Sequence, residues 1–521
     1  MLFTRKKAKT YKKQIPKDGI KIGQEEIDRV TSVKYLGLTI EHTLNWSEHI
    51  KNKCEQARKT LFRLRNFIGK TWGPSPEMVH YAYTSCIRPI LSYACFAFAH
   101  RLLGAHITRL NKIQRMVHMM MSNNRKGTPA AGLEVIIGTM PIDIYLKGEA
   151  LKCGYRIKTH FAKTPAEKGH IDKYSKEAKD YGIDKLQSDD LPKTKQWEQG
   201  YTIQKPGQGQ NVETGLRGYT DGSKTSQGTG AGVCIMDDQK IIRTRAFNLP
   251  DYCTVFQAEI AAIKEGCKLI PKNLHHKHVT IMTDSQAALL ALDKVETSSR
   301  LVKEAKTELN KISNKIQTEV AWIKAHVGHR GNEIADSLAK TGCSLTNTLS
   351  IGASKAYVKS KIDERSTLIW NRRWQATANC RQTFDLCPAT NESRSKKIRK
   401  LNRFDLGILT RYVTGHAHLR RHNKIAGITN PEIQAYNKDD YIYKDPEDNH
   451  TGHFDDQTLC RLCRLKGRQE TPMHILLECN AAWRERMQYF KFHVLERDEI
   501  LNWEPEQLVG FFKSLDVENR D

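Results

Sequence analysis

The stretch from Tyr219 to Lys340 constrains the fold most. Its hydrophobic period switches between strand-like and helix-like, and acids recur at set points of the pattern. Leu216 to Thr220 is an extended run, broken by Asp221-Gly222-Ser223. Gly230 to Met236 is apolar, partly β-branched and bounded by glycine and by Asp237-Asp238, so it reads as a buried strand. Ile241 to Phe247 makes a third strand, with Asp238-Gln239 as the hairpin turn between them. From Cys253 to Ile270 the period changes: Phe256, Ile260, Ile263, Cys267 and Ile270 recur every three or four residues, the spacing of an amphipathic helix. Glu259 lies on that helix beside its apolar seam. His278 to Met282 is a fourth strand with Asp284 at its carboxyl end, where open α/β sheets place ligands. Val320 to Ile323 is a fifth strand. Asn332 to Thr341 is a helix on which Glu333 and Asp336 share a face.

The pattern predicts a five-stranded mixed α/β sheet with helices, carrying four carboxylates at strand ends or on helix faces. Any one acid alone reads as a solvated surface group. Four brought together repel one another unless cations intervene, and hard oxygen ligands suit Mg²⁺ or Mn²⁺. Two such ions about 4 Å apart clamp the attacking and leaving oxygens of a phosphoryl displacement. This chemistry points to a metal-dependent nuclease.

Thr220-Asp221-Gly222-Ser223, Ala258-Glu259, Thr283-Asp284-Ser285 and the Lys324-Ala325-His326-Val327-Gly328-His329 loop leading to Asn332-Glu333 and Asp336 resemble the type 1 ribonuclease H domain. The resemblance implies that Asp221, Glu259, Asp284 and Asp336 bind two Mg²⁺ ions, with Mn²⁺ able to substitute. It also implies that His326 is a mobile histidine aiding proton transfer and product departure, and that the substrate is an RNA–DNA hybrid. His329, in the same loop, reads as a solvated histidine.

A formal net charge of +26 over 521 residues is the footprint of a polyanion partner. The most apolar window, Cys86 to Leu103, contains Arg88, Pro89, His100 and Arg101, so it reads as a core helix and no membrane association is expected. Thirteen cysteines, odd in number and scattered, suit a reducing intracellular compartment, nucleus or cytoplasm, without structural disulfides. Oligomeric state is left open.

Residues 1–160 begin with a basic run (Lys6, Lys7, Lys9, Lys12 and Lys13) that reads as a localisation signal, a nucleic-acid contact or a solvated tail. Strands follow at Ile20 to Ile22 and Val33 to Ile40, then helices at Trp46 to Phe67, Pro76 to Leu103 and Ile107 to Met121. Lys34-Tyr35-Leu36-Gly37, Leu44-Asn45-Trp46 and Ile87-Arg88-Pro89-Ile90-Leu91-Ser92-Tyr93 are similar to the palm end and thumb of reverse transcriptases from jockey-like non-LTR retrotransposons. Those polymerases need a Tyr-x-Asp-Asp turn. The only adjacent pair near a tyrosine here, Asp439-Asp440 after Tyr436, has the wrong spacing, so no polymerase activity is expected. The chain is expected to be the carboxyl-terminal part of a retroelement polyprotein, with Met1 an internal start or an annotation start.

Residues 161–214 read as a linker, most clearly from Gln187 to Thr214, and 215–346 as the nuclease domain. Residues 347–450 read as a basic helical segment in which Trp370 and Trp374 either stack on bases or form a small core face. His416, His418 and His422 follow without an assigned chemistry. In 451–521, Cys460-x2-Cys463-x10-His474-x4-Cys479 has the spacing of a closed tetrahedral Zn²⁺ site, preferred over three reduced cysteines and a surface histidine. It is similar to the Cys-Cys-His-Cys element at the carboxyl end of those polyproteins. The rival to the nuclease reading is a non-catalytic nucleic-acid-binding relic of a retroelement.

Overall fold

The computed structural model describes residues 21–26, 30–68, 73–124, 127–161, 176–206, 215–271, 276–325, 327–427, 458–465, 467–496 and 498–516. They form two compact units, one from Met1–Ala150 with Ser366–Asp521, the other from Leu151–Arg365. The amino-terminal lysine run and His326 lie outside the described residues. No helix among the described residues is long and apolar enough to cross a membrane.

The Leu151–Arg365 unit is a mixed α/β sheet with helices. Its strands and helices are β1 (Asp190–Lys195), β2 (Thr202–Gln204), β3 (Leu216–Thr225), β4 (Gly228–Asp237), β5 (Lys240–Leu249), α1 (Val255–Leu269), β6 (His278–Thr283), α2 (Gln286–Asp293), β7 (Glu296–Ser299), α3 (Arg300–Ser313), β8 (Gln317–Trp322) and α4 (Arg330–Gly342). The main sheet runs β2-β8-β6-β3-β4-β5. β3, β4 and β5 form an antiparallel meander, and the turn at Asp238-Gln239 has Asp238 left-handed at φ 50°. β6 runs parallel to both β3 and β8. β3 and β4 are buried along most of their length; β4 matches this with an apolar, glycine-containing sequence, whereas β3 also buries Arg217, Thr220 and Asp221.

The sheet has six strands where the sequence pattern predicts five. The sixth, β2, lies inside the stretch read as a linker and pairs parallel to β8. Its three residues sit in a polar neighbourhood with no strand period. Tertiary contacts hold it: buried Tyr201 donates its hydroxyl to the Leu292 carbonyl at 3.0 Å, and Asn310 receives the Gly200 N–H and donates to the Glu198 carbonyl. β1, from the same stretch, forms a two-stranded ribbon with β7.

The other unit is mainly helical and has one continuous core. Ile50, Leu61, Leu110 and Leu133 from the first part of the chain share it with Leu406, Leu409, Cys460 and Phe511 from the last part. Trp370 and Trp374 are buried in it, and the Trp374 indole N–H donates to the Cys387 carbonyl at 2.8 Å, so these tryptophans are core residues. The stretch Pro76 to Leu103 is several short helices instead of one. A π turn at Tyr83–Ile87 precedes Pro89, whose missing N–H interrupts the ladder, and Ala94 turns left-handed at φ 56°. Val33 to Ile40 is a hairpin of Ser32–Tyr35 and Leu38–Glu41, folded at Leu36-Gly37.

Candidate functional site

The sheet register brings the first two acids together. Thr220 of β3 pairs with Thr283 of the parallel strand β6, so the residues that follow, Asp221 and Asp284, emerge side by side. The Thr220 hydroxyl donates to the Met282 carbonyl at 3.0 Å and locks that register. Asp284 is held further by its backbone carbonyl, which accepts the Trp322 indole N–H at 3.0 Å. The next residue, Ser285, caps α2 by accepting the Ala288 N–H.

Glu259 comes from α1. A capping box sets where that helix starts: the Thr254 hydroxyl accepts from the Gln257 N–H, and the Gln257 side chain accepts from the Thr254 N–H. The helix then lies directly on β3 because Gly222 has no side chain. A Cβ at Gly222 would stand 2.5 Å from the Glu259 nitrogen. Gly232 of β4 does the same for α4, where a Cβ would run into the Ala335 carbonyl.

One ligand atom from each of Asp221, Glu259 and Asp284 fits within a 4.8 Å cluster. Asp221 and Glu259 are buried, and the Glu259 Oε2 has no hydrogen-bond partner. Burial, reinforced by the charges of Asp284 and Asp336, pushes the Asp221 carboxyl up to about 6. Burial and the charges of Asp221 and Asp284 push Glu259 up to about 9. An orphaned carboxylate oxygen amid mutually repelling, desolvated acids is an environment that a hard divalent cation relieves. The residues therefore fit Mg²⁺ or Mn²⁺.

Asp336 stands outside that cluster. It lies on α4, and its carboxylate pairs with Lys340 one turn on, at 2.7 Å. Its charge still reaches Asp221. The i+4 spacing of Lys340 from Asp336 is the signal in the sequence that carries this pair. His329, read as solvated, is the half-buried residue at the amino end of α4.

The second constellation closes as its spacing predicts. One ligand atom from each of Cys460, Cys463, His474 and Cys479 lies within 4.8 Å of the others. The Cys463 Sγ is 3.4 Å from the His474 Nε2, and the Cys460 and Cys479 sulfurs are 3.9 Å apart. The first two cysteines sit on a turn closed by the Cys460 N–H to the Arg468 carbonyl, and a π turn at His474–Glu478 presents the other pair. The His474 Nδ1 faces the Glu478 carboxylate at 3.7 Å. Three sulfurs and one imidazole nitrogen in a closed group suit Zn²⁺.

Comparison with known proteins agrees with the reading of the sheet. Residues 213–344 match the ribonuclease H family model. A curated relative, the retrovirus-related Pol polyprotein from type-1 retrotransposable element R1 4 of Nasonia vitripennis, is 27% identical over 134 residues, which is 26% of this chain and 34% of the relative. The match thus spans about a third of that polyprotein's length. Among solved structures, ribonuclease H1 from Halobacterium salinarum NRC-1 is 16% identical, covering 24% of this chain and 96% of its own, with a TM-score of 0.21. The prototype foamy virus protease-reverse transcriptase is 21% identical, covering 28% of this chain and 23% of its own, with a TM-score of 0.24. Residues 213–344 thus match the ribonuclease H family model, and about a quarter of the chain is similar to a retrotransposon Pol polyprotein.

Proposed function

We propose that this chain is an endoribonuclease that cuts the RNA strand of RNA–DNA hybrids by metal-assisted hydrolysis and has no polymerase activity. The observation that carries the reading is the cluster of Asp221, Glu259 and Asp284, with the Glu259 Oε2 buried and unpartnered. These three acids would hold two divalent ions, and Asp336, whose charge reaches Asp221, would complete the set. When bound, the ions would supply an activated water and stabilise the leaving oxygen. The protein's own work is placement. β3 and β6 fix Asp221 and Asp284 in register, α1 delivers Glu259, and the paired Lys340 keeps Asp336 oriented. His326, ten residues before Asp336, is assigned proton transfer. Contacts to the 2′-hydroxyl would select the RNA strand, and the chain's cationic surface would supply salt-dependent affinity. Cys460, Cys463, His474 and Cys479 would bind Zn²⁺ as a structural centre.

The test is cleavage of a strand-labelled RNA–DNA hybrid by the purified chain, with Mg²⁺ and with EDTA. Cutting of the RNA strand alone, with Mg²⁺ only, is expected, leaving 3′-hydroxyl and 5′-phosphate ends. Protons on Asp221 and Glu259 compete with the cation, and both groups sit above the usual carboxylate range. Cleavage at limiting Mg²⁺ should therefore rise with pH between about 6 and 9. Salt-sensitive binding without cutting at any pH would instead make the chain a nucleic-acid-binding protein.

The packing at Gly222 gives a second expected result. An added Cβ meets backbone atoms of α1, so the helix has to shift and carry Glu259 with it. Gly222→Ala should cost about 1–3 kcal/mol of stability by overpacking. It should slow cleavage about 100-fold, the effect of a misplacement on the order of 1 Å. A thermal melt and a single-turnover rate check both, and a wild-type rate would show that Glu259 tolerates displacement.

A further inference from the structure

The Cys460, Cys463, His474 and Cys479 group has a fifth residue built against it. Arg486, on the helix Trp483–Phe490, is 1% exposed, among the largest fully buried side chains of the molecule. Its guanidinium donates to three backbone carbonyls. Nη2 reaches the Cys479 carbonyl at 2.6 Å, Nη1 the Ile475 carbonyl at 3.1 Å, and Nε the His493 carbonyl at 2.7 Å. One of those carbonyls, Ile475, lies within the π turn that presents His474 and Cys479, and another, at the turn's carboxyl end, belongs to the ligand residue Cys479 itself. The Cys479 sulfur and the chain neighbour Glu485 attract the guanidinium through space, but neither accepts a hydrogen bond from it. A buried cation whose hydrogen bonds all go to backbone dipoles is costly, and such a group persists where compensating charge is near.

A zinc ion held by three thiolates and a neutral imidazole carries one net negative charge. That charge is buried too, because Cys460 and Cys479 are almost fully enclosed. We propose that Arg486 is the positioning residue and counter-cation of this centre. Its fork fixes the backbone that carries Cys479 and His474, and its charge offsets the excess of the loaded site. Each buried charge removes the cost of the other, so the pair is electrically closed. This rests on the zinc reading of the four ligands.

The experiment uses the full chain and zinc itself as the probe. Zinc content is measured by atomic emission, and affinity by competition with a chromogenic chelator, for wild type, Arg486→Met and Arg486→Lys. Loss of an outer-shell partner weakens metal sites about 10–100-fold. Arg486→Met is expected within that range. Arg486→Lys is expected to lose less, because it keeps the charge while its single ammonium cannot span three carbonyls. The rise in melting temperature on adding zinc should also shrink in both, which a purely structural arginine would leave unchanged. Wild-type affinity and an undiminished zinc-dependent rise in Arg486→Met would overturn the proposal. If that variant does not fold, the same result in Arg486→Lys overturns it. A zinc-free wild type would remove the zinc reading and this proposal together, whereas a loaded wild type and a variant of equal zinc affinity would remove only this one.

Discussion

Asp221→Asn should reduce cleavage of the RNA strand by roughly 1,000-fold or more while hybrid binding stays equal or tightens. The magnitude follows from the several kcal/mol that a correctly placed metal supplies to the transition state, at about 1.4 kcal/mol per tenfold in rate. The substitution suits the position. Asp221 is buried, and asparagine fills the same volume, so β3 and its pairing with β4 and β6 are kept. What is lost is one anionic ligand at the point where the two parallel strands present their acids. The sign of the binding effect comes from the same electrostatics. Asp221 and Asp284 both repel the charged form of Glu259, so neutralising Asp221 lowers the negative charge that a polyanionic substrate meets. Single-turnover cleavage beside a gel-shift titration without Mg²⁺ separates the two effects. A variant that cuts at the wild-type rate would remove Asp221 from the metal site. One that neither cuts nor binds would show that the fold had been lost instead.

The acids were legible before the sheet was, and the reason is local. Asp221 and Asp284 each end a strand-like run, and Glu259 rides a helix with a clean period, so each announces itself within ten residues of sequence. Their convergence depends on which strands become neighbours. That is set by the Thr220–Thr283 register and by the close approach at Gly222, neither of which a pattern reading can see. β2 was hidden for the opposite reason: its three residues have no strand signal, and contacts from α2 and α3 hold it. The Cys/His spacing was readable because all four ligands lie within twenty residues. Arg486 was not, because its partners are backbone carbonyls, which have no sequence signature. The shared core of the first and last thirds of the chain was equally invisible. Each helix declares an apolar face, but nothing in its sequence says which distant face will cover it.

That shared core makes zinc removal the second large effect. Cys460 and Cys479 are themselves core residues, packed in one cluster with Ile475 and Leu476 beside them and with Leu110, Leu133, Leu406 and Leu409. A structural zinc contributes on the order of 10 kcal/mol of folding free energy. A whole domain is stable by about 5–15 kcal/mol, so loss of the ion is comparable to everything that holds this unit together. Stripping zinc with a strong chelator, or replacing the half-buried Cys463 with serine, should therefore do more than fray residues 458–496. Backbone amides should lose hydrogen-exchange protection in the helix Arg403–Thr414 and also in Gly104–Ser122, hundreds of residues earlier in the chain, because both contribute to the core that the loops carrying the four Cys and His residues complete. Restoring zinc to the chelated wild type should restore protection in both helices, while Cys463→Ser should not recover it. If protection were lost only around the ligands, the zinc element would be a separate small module resting on a core that is stable without it. Loss that spreads to Gly104–Ser122 would make the ion a staple for a unit assembled from the two ends of the chain.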